Sequence, residues 1–158
     1  MTPKIGIADD HRTAVVGILN ALLADEFVLY TKTRNYHWNV VSPQFSELHK
    51  LFETQYEQLD EVIDEVAERA RALDGRAFGT LAEYAQHSRL KERPGEAPPA
   101  REMIADLLGD HETVIRQLRK DADTVVEKHG DAGTNDFLVG LMEEHEKTAW
   151  MLRAHLAG

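Results

Sequence analysis

Apolar positions recur along most of the chain at the three- and four-residue spacing of an α-helix. Val15, Ile18, Leu19, Leu22, Leu23, Phe27 and Tyr30 mark the first such stretch, which runs without proline from about Ala8 to Asn35. Ser42 and Pro43 read as an N-cap followed by proline at the first helical position. That second helix runs to about Leu73, and Gly75 is placed to end it. On a wheel of ~100° per residue, Phe45, Leu48, Phe52, Tyr56, Leu59, Ile63, Val66, Ala70 and Leu73 form its core stripe. Thr80-Leu81-Ala82-Glu83 has the capping-box pattern and predicts a short helix in the next connection. Lys91 to Pro99 reads as loop, and Pro99 opens a third long helix reaching about His129. Residues 129–134 break it, and Thr134 is placed to cap a fourth long helix ending near His155. No segment alternates with period two long enough for a strand. The expected fold is all-α, a single domain over residues 1–158. Four long helices form a bundle, with a short extra helix in the connection between helices two and three.

Composition narrows the chemistry. With 42% hydrophobic and 29% charged residues, the chain reads as soluble and globular. It contains no cysteine, so any metal must be held by His, Asp and Glu. No signal peptide is visible at the start, and no run approaches the roughly 18 apolar residues of a membrane span. Cytoplasm is the expected location. The 28 acidic against 18 basic residues give a net charge of −10, which attracts cations and repels phosphate. Before Ala14 the only cations are Lys4 and Arg12, and the chain ends His-Leu-Ala-Gly, so no basic tail favours DNA.

The second helix carries the candidate chemistry. Beside its core stripe lies a second stripe of His49, Glu53, Glu57, Asp60, Asp64 and Glu68. Carboxylates alone would read as a solvated face. An imidazole among them changes that, because His49 with Glu53, and Asp64 with Glu68, stand at i, i+4, where two side chains can reach one ion. His49 and Asp64 are 15 residues apart, about 22 Å along the axis, too far to share a metal within one chain. Two copies of the helix packed antiparallel about a twofold axis near residues 58–59 would bring each His49/Glu53 opposite the mate's Asp64/Glu68. His37 precedes His49 by twelve residues, and a tight turn would bring the two imidazoles together.

An intrasubunit centre built on Glu-x-x-His motifs is excluded, because no His has Asp or Glu three residues before it. The other histidines, His11, His87, His111, His129, His145 and His155, share no pattern and are expected at the surface or at helix ends.

The segments HWNVVSPQFSELHKLFE (His37 to Glu53) and IDEVAERARALDG (Ile63 to Gly75) resemble the two signatures of the Dps family. These are small ferritins also described as DNA-binding proteins from starved cells. The likeness continues through GTNDFLVGLMEEHEKTAWML in the fourth helix, while Ser42 stands where the first signature usually has Gly. The resemblance implies a ferritin-like four-helix bundle. It places ferroxidase ligands on His37, His49 and Glu53 of one subunit and on Asp64 and Glu68 of its twofold mate. Trp38 matches the aromatic beside the family's irons, where it quenches radicals. A hollow homo-dodecamer with acidic threefold pores is implied as well. Glu127 and Asp136 align with pore acids of some members, and Ala132 occupies a position that can be acidic.

The expected activity is therefore that of a ferroxidase. Fe²⁺ is oxidised to Fe³⁺, with H₂O₂ as preferred oxidant and O₂ as an alternative, and ferric oxide is stored in the cage as protection against oxidative damage. Zn²⁺ suits the same donors. A DNA-compacting role and a passive metal buffer are the rivals.

Overall fold

Helices form where the apolar periodicity places them, with ends set by local bonds. The structure is a computed structural model that describes residues 3–157. Helix α1 spans Asp9–Asn39, α2 Phe45–Ala72, α3 Leu81–His87, α4 Ala100–Glu127 and α5 Ala132–Leu156. Among the described residues there is no strand.

Several ends differ from expectation, each for a visible reason. Helix α1 runs four residues past Asn35, because nothing between Tyr36 and Asn39 breaks a helix and the Val40 N–H still donates to the Tyr36 carbonyl. Helix α2 begins at Phe45 and not at Pro43. Ser42 closes a turn ahead of it, its Oγ accepting from the Gln44 N–H at 3.1 Å. At the far end Asp74, not Gly75, takes the left-handed conformation, with φ 66°. The Gly75 N–H reaches the Ala70 carbonyl and the Asp74 N–H reaches Arg71, which closes the helix end as a Schellman motif. Asp131, not Thr134, caps α5, its carboxylate accepting from the Thr134 N–H at 2.9 Å. The capping box on α3 forms as expected between Thr80 and Glu83.

Gly75 answers a different need. A Cβ there would overlap both methyl groups of Val16 on α1. Gly75→Ala should therefore cost about 1–3 kcal/mol through overpacking, and Val16→Ala in the same chain should recover part of the loss. Urea denaturation of the single and double variants checks this; independent, additive losses would show that the close approach is unimportant.

The bundle is ordered α1, α2, α5, α4 around its axis. Helix α1 packs along α2 and α4 along α5, while α2 and α5 touch least. Contacts fix the directions. The Tyr36 hydroxyl near the end of α1 donates to Asp106 near the start of α4 at 2.7 Å. At the opposite end Arg69 of α2 donates to Thr134 and Asp131 of α5. Helices α2 and α4 thus run the same way, so their connection must travel the length of the bundle, which is why it is long.

Buried polar groups of α1 fasten that connection. Asn20 donates to the Arg76 carbonyl and accepts from the Phe78 N–H, both at 2.9 Å. Asp25 accepts from Ser88, from the Arg89 N–H and from the Arg89 side chain. Lys32 donates to the Lys91 carbonyl and pairs with Asp110 at 2.8 Å. An 18-residue stretch of α1 reaches a mean hydropathy of 1.5, enough by length and composition for a membrane span, but 61% of it is buried inside the bundle. Covered by α2, α3 and α4, it is a core helix.

Candidate metal centre

The five-residue turn between α1 and α2 folds the helices back on each other and brings His37 and His49 into contact. Their rings stack with centroids 3.7 Å apart and planes 19° from parallel. Nδ1 of His37 lies 2.8 Å from the His49 carbonyl, and Nδ1 of His49 lies 2.8 Å from the His37 carbonyl. A carbonyl oxygen only accepts, so each Nδ1 carries the proton. In the neutral rings both Nε2 atoms are left with a lone pair, the tautomer a metal ligand needs. Each imidazole is thus oriented by the backbone of the other's helix.

Aromatic rings frame the pair. Phe45 stacks on His49 at 5.0 Å, and Tyr56 stands edge-on to His37 at 5.2 Å. The Arg34 guanidinium lies over the Tyr56 ring at 4.6 Å and over Trp38 at 5.1 Å. Trp38 is 64% exposed, and Val41 and Phe45 are also exposed, so an apolar patch borders the imidazoles. Phe45 lies outside the core stripe assigned to it. Helix α2 is turned so that Gln55 and Val62 point inward, leaving Tyr56 and Ile63 at the edge. Sequence reading missed Arg34, Phe45 and Tyr56 as neighbours of the pair; the i, i+4 spacing of Phe45 and His49 was the available signal.

Glu53 lies one turn beyond His49 on the same face. The Lys50 ammonium bonds its carboxylate and holds its pKa below the ordinary carboxylate value, and the two imidazoles act in the same direction. Asp64 and Glu68 are exposed on the distal half of α2. They are not brought to His37 and His49 within the chain, as the helix length dictates. Among the described residues no three His, Asp or Glu side chains of one chain stand ready to surround a metal ion. Glu127 ends α4 and Asp136 lies in the first turns of α5, both exposed at the same end of the bundle.

Two other histidines depart from expectation. His111 and His145 are neither superficial nor terminal; they are 2% and 3% exposed in the bundle core. Their Nδ1 atoms are 2.8 Å apart, and His145 Nε2 lies 2.8 Å from Glu26 Oε1. Burial pushes the His111 imidazole well below its ordinary pKa, and neighbouring His145 adds to the shift. Burial also opposes charge on His145, but the Glu26 carboxylate outweighs it and raises that pKa. The carboxylate partner is 119 positions away in sequence, so no local spacing announced it. His87 and His155 lie at helix ends as expected, and His11 and His129 meet with Nδ1 atoms 3.1 Å apart.

A profile of the ferritin-like domain matches residues 16–158. The chain is 49% identical over 155 residues to a low-temperature-induced protein of Nostoc sp., covering 98% of this chain and 87% of the relative. It is 40% identical over 143 residues to DNA protection during starvation protein 2 of Bacillus anthracis, covering 90% and 96% of the two. Among solved structures, the Dps protein from Vibrio cholerae superposes with a TM-score of 0.92 at 33% identity, covering 98% of this chain and 96% of that one. DpsC from Streptomyces coelicolor superposes with 0.95 at 30% identity, covering 100% and 91%. Sequence and fold agree over nearly the whole chain, which belongs to the Dps family of ferritin-like proteins.

Proposed function

We propose that this protein is a ferroxidase that oxidises Fe²⁺ at a site shared between two subunits and stores the product as ferric oxide inside a dodecameric cage. The observation that carries this reading is the stacked His37–His49 pair, with both Nδ1 atoms tied to backbone carbonyls and both Nε2 atoms left as donors. Glu53 supplies a carboxylate beside them. Asp64 and Glu68 of a twofold mate complete the set if two α2 helices lie antiparallel, and the exposed Trp38, Val41 and Phe45 give such a mate an apolar surface to cover. Imidazole and carboxylate suit both Fe²⁺ and Fe³⁺, and Zn²⁺ competes for the same donors. The relative from Vibrio cholerae is described as a member of the ferritin-like diiron-carboxylate superfamily.

In this reading Fe²⁺ is the substrate. Acidic pores that include Glu127 and Asp136 admit it, drawn by a cage carrying twelve times the formal −10 of each chain. Two Fe²⁺ give one electron each to H₂O₂; with two protons, the O–O bond breaks to give two waters and no hydroxyl radical. O₂ is the slower oxidant. Trp38, at the rim, intercepts stray one-electron oxidants. Fe³⁺ then hydrolyses to oxide in the cavity, and the cytoplasm is the setting.

Rapid mixing of the anaerobic protein and Fe²⁺ with H₂O₂ or O₂, followed by absorbance of ferric product and by size-exclusion mass, tests the proposal. The expected result is a cage-sized particle that oxidises iron far faster than buffer, and faster with peroxide than with oxygen. A cage no faster than buffer would leave passive storage.

The names of several relatives refer to DNA protection. For this chain, with net charge −10, no retardation of DNA is expected in a gel-shift assay even at low salt, where phosphate-driven binding is strongest. A clear shift would mean that a local basic patch overrides the net charge.

A further inference from the structure

The core of a helix bundle is a costly place for polar atoms, and this one holds a line of them. Glu26 of α1, His145 of α5 and His111 of α4 are 0%, 3% and 2% exposed. His145 stands in the middle. Its Nε2 lies 2.8 Å from Glu26 Oε1, and its Nδ1 lies 2.8 Å from Nδ1 of His111. The carboxylate accepts, so His145 Nε2 carries a proton. Between the two Nδ1 atoms there is room for one proton and no more. One nitrogen donates and the other accepts; a proton on each would set two N–H groups head to head at hydrogen-bond distance.

We propose that this relay is a proton-operated latch, which ties α1, α4 and α5 together near neutral pH and is released when acid puts a second proton between the imidazoles. Release turns His111 away from His145, and space for it lies alongside. A cavity of about 320 Å³ between α2 and α5, where those helices touch least, is lined by His111, His145 and Gln55. Gln55 is 4% exposed, and its two amide atoms and His111 Nε2 have no protein partner. The charged groups around the cavity are Glu61 and Glu65 of α2 and Glu144 and Lys147 of α5. Three carboxylates against one ammonium favour an imidazolium that turns toward them. From α1 the group in line with the relay is Glu26 itself, and among the described residues α3 contributes nothing to the cavity wall.

Acid is the releasing direction. Burial, and then the neighbouring His145, hold the His111 imidazole well below its ordinary value of 6.5. As pH falls through that value, the unfolded chain takes up a proton that the closed latch refuses. The stability contributed by a neutral His111 is therefore complete above about pH 6.5 and is lost progressively below it. His145 behaves in the opposite sense. Burial opposes its charge, but Glu26 outweighs burial and raises its pKa. Its contribution is complete below about pH 6.5 and is lost as pH rises through the raised value, so it adds no slope on the acid side. The latch shares no residue with the intersubunit ligands and does not depend on the proposed iron oxidation.

Calorimetry of the assembled full chain from pH 7.5 to 5, at fixed protein concentration, tests the latch against His111→Gln, whose amide can bond His145 but does not titrate. One proton per subunit corresponds to about 3–5 °C of thermal midpoint per pH unit for a chain of this size. Below pH 6.5 the unsubstituted protein should lose about that much more per pH unit than the variant, and above it the two profiles should run parallel. Hydrogen–deuterium exchange on the unsubstituted protein needs no core substitution, and it decides the matter if the variant does not assemble. Corrected for the intrinsic pH dependence of exchange, protection should fall between pH 7 and 5.5 first in residues 107–115 of α4 and 141–149 of α5. Superimposable pH profiles of the two proteins, or a loss of protection spread evenly over the helices, would overturn the proposal.

Discussion

Mixing two inactive variants should restore iron oxidation. The His37→Ala/His49→Ala chain keeps Asp64 and Glu68, and the Asp64→Asn/Glu68→Gln chain keeps both imidazoles. Each homo-oligomer lacks half of every shared site, so its oxidation should fall to the rate of buffer. That loss exceeds the roughly 10- to 100-fold cost of losing an outer-shell partner of a metal site. In a mixed dimer one site keeps only Glu53 and the other holds all five ligands. Random reassembly should then return about a quarter of the native sites, because half the dimers are mixed and each holds one intact site. Stopped-flow rates of refolded or co-expressed mixtures measure it. Full activity in either variant alone, or none in the mixture despite a normal cage, would refute a site divided between subunits.

The second large effect concerns stability. Phe52 is fully buried and lies one residue before Glu53 on α2. Phe52→Ala should destabilise the fold by about 3–5 kcal/mol, by lost transfer energy plus the cavity left behind. At about 2–4 °C per kcal/mol for a chain of this size, the thermal midpoint should fall by about 10 °C. Protein concentration must be held constant, since assembly contributes to the midpoint. Phe52→Leu should lose much less. A calorimetric shift of only a degree or two for the alanine variant would mean that the surrounding core collapses around the gap.

The fold was legible because helical periodicity, capping residues and the lack of alternating segments all point the same way. Thr80 and Glu83 announced α3 correctly because a capping box is a local device. Misreadings arose where a residue's role is tertiary. Gly75 looks like a helix terminator, yet Val16 on another helix is what demands a glycine there. Phe45 fits an apolar wheel, yet it lies at the rim beside His49 because α2 turns Gln55 inward.

The candidate centre divides along the same line. The meeting of His37 and His49 followed from a short turn between two long helices. The locking of each ring to the other's backbone did not, since carbonyl direction depends on how α1 and α2 are rotated against each other. The buried polar triad of Glu26, His111 and His145 was invisible for a further reason. Its members are far apart in sequence and each alone resembles an ordinary helical polar residue.

The reciprocal bonds between His37 and His49 also make the pair a single mechanical unit. Neither ring can swing without pulling on the strand of backbone that steers its neighbour, so a shear between the two helices would misalign both donors together. The pair acts as a hinge pin as well as a ligand set, and the fidelity of its aim is inherited from the rigidity of the whole α1–α2 hairpin.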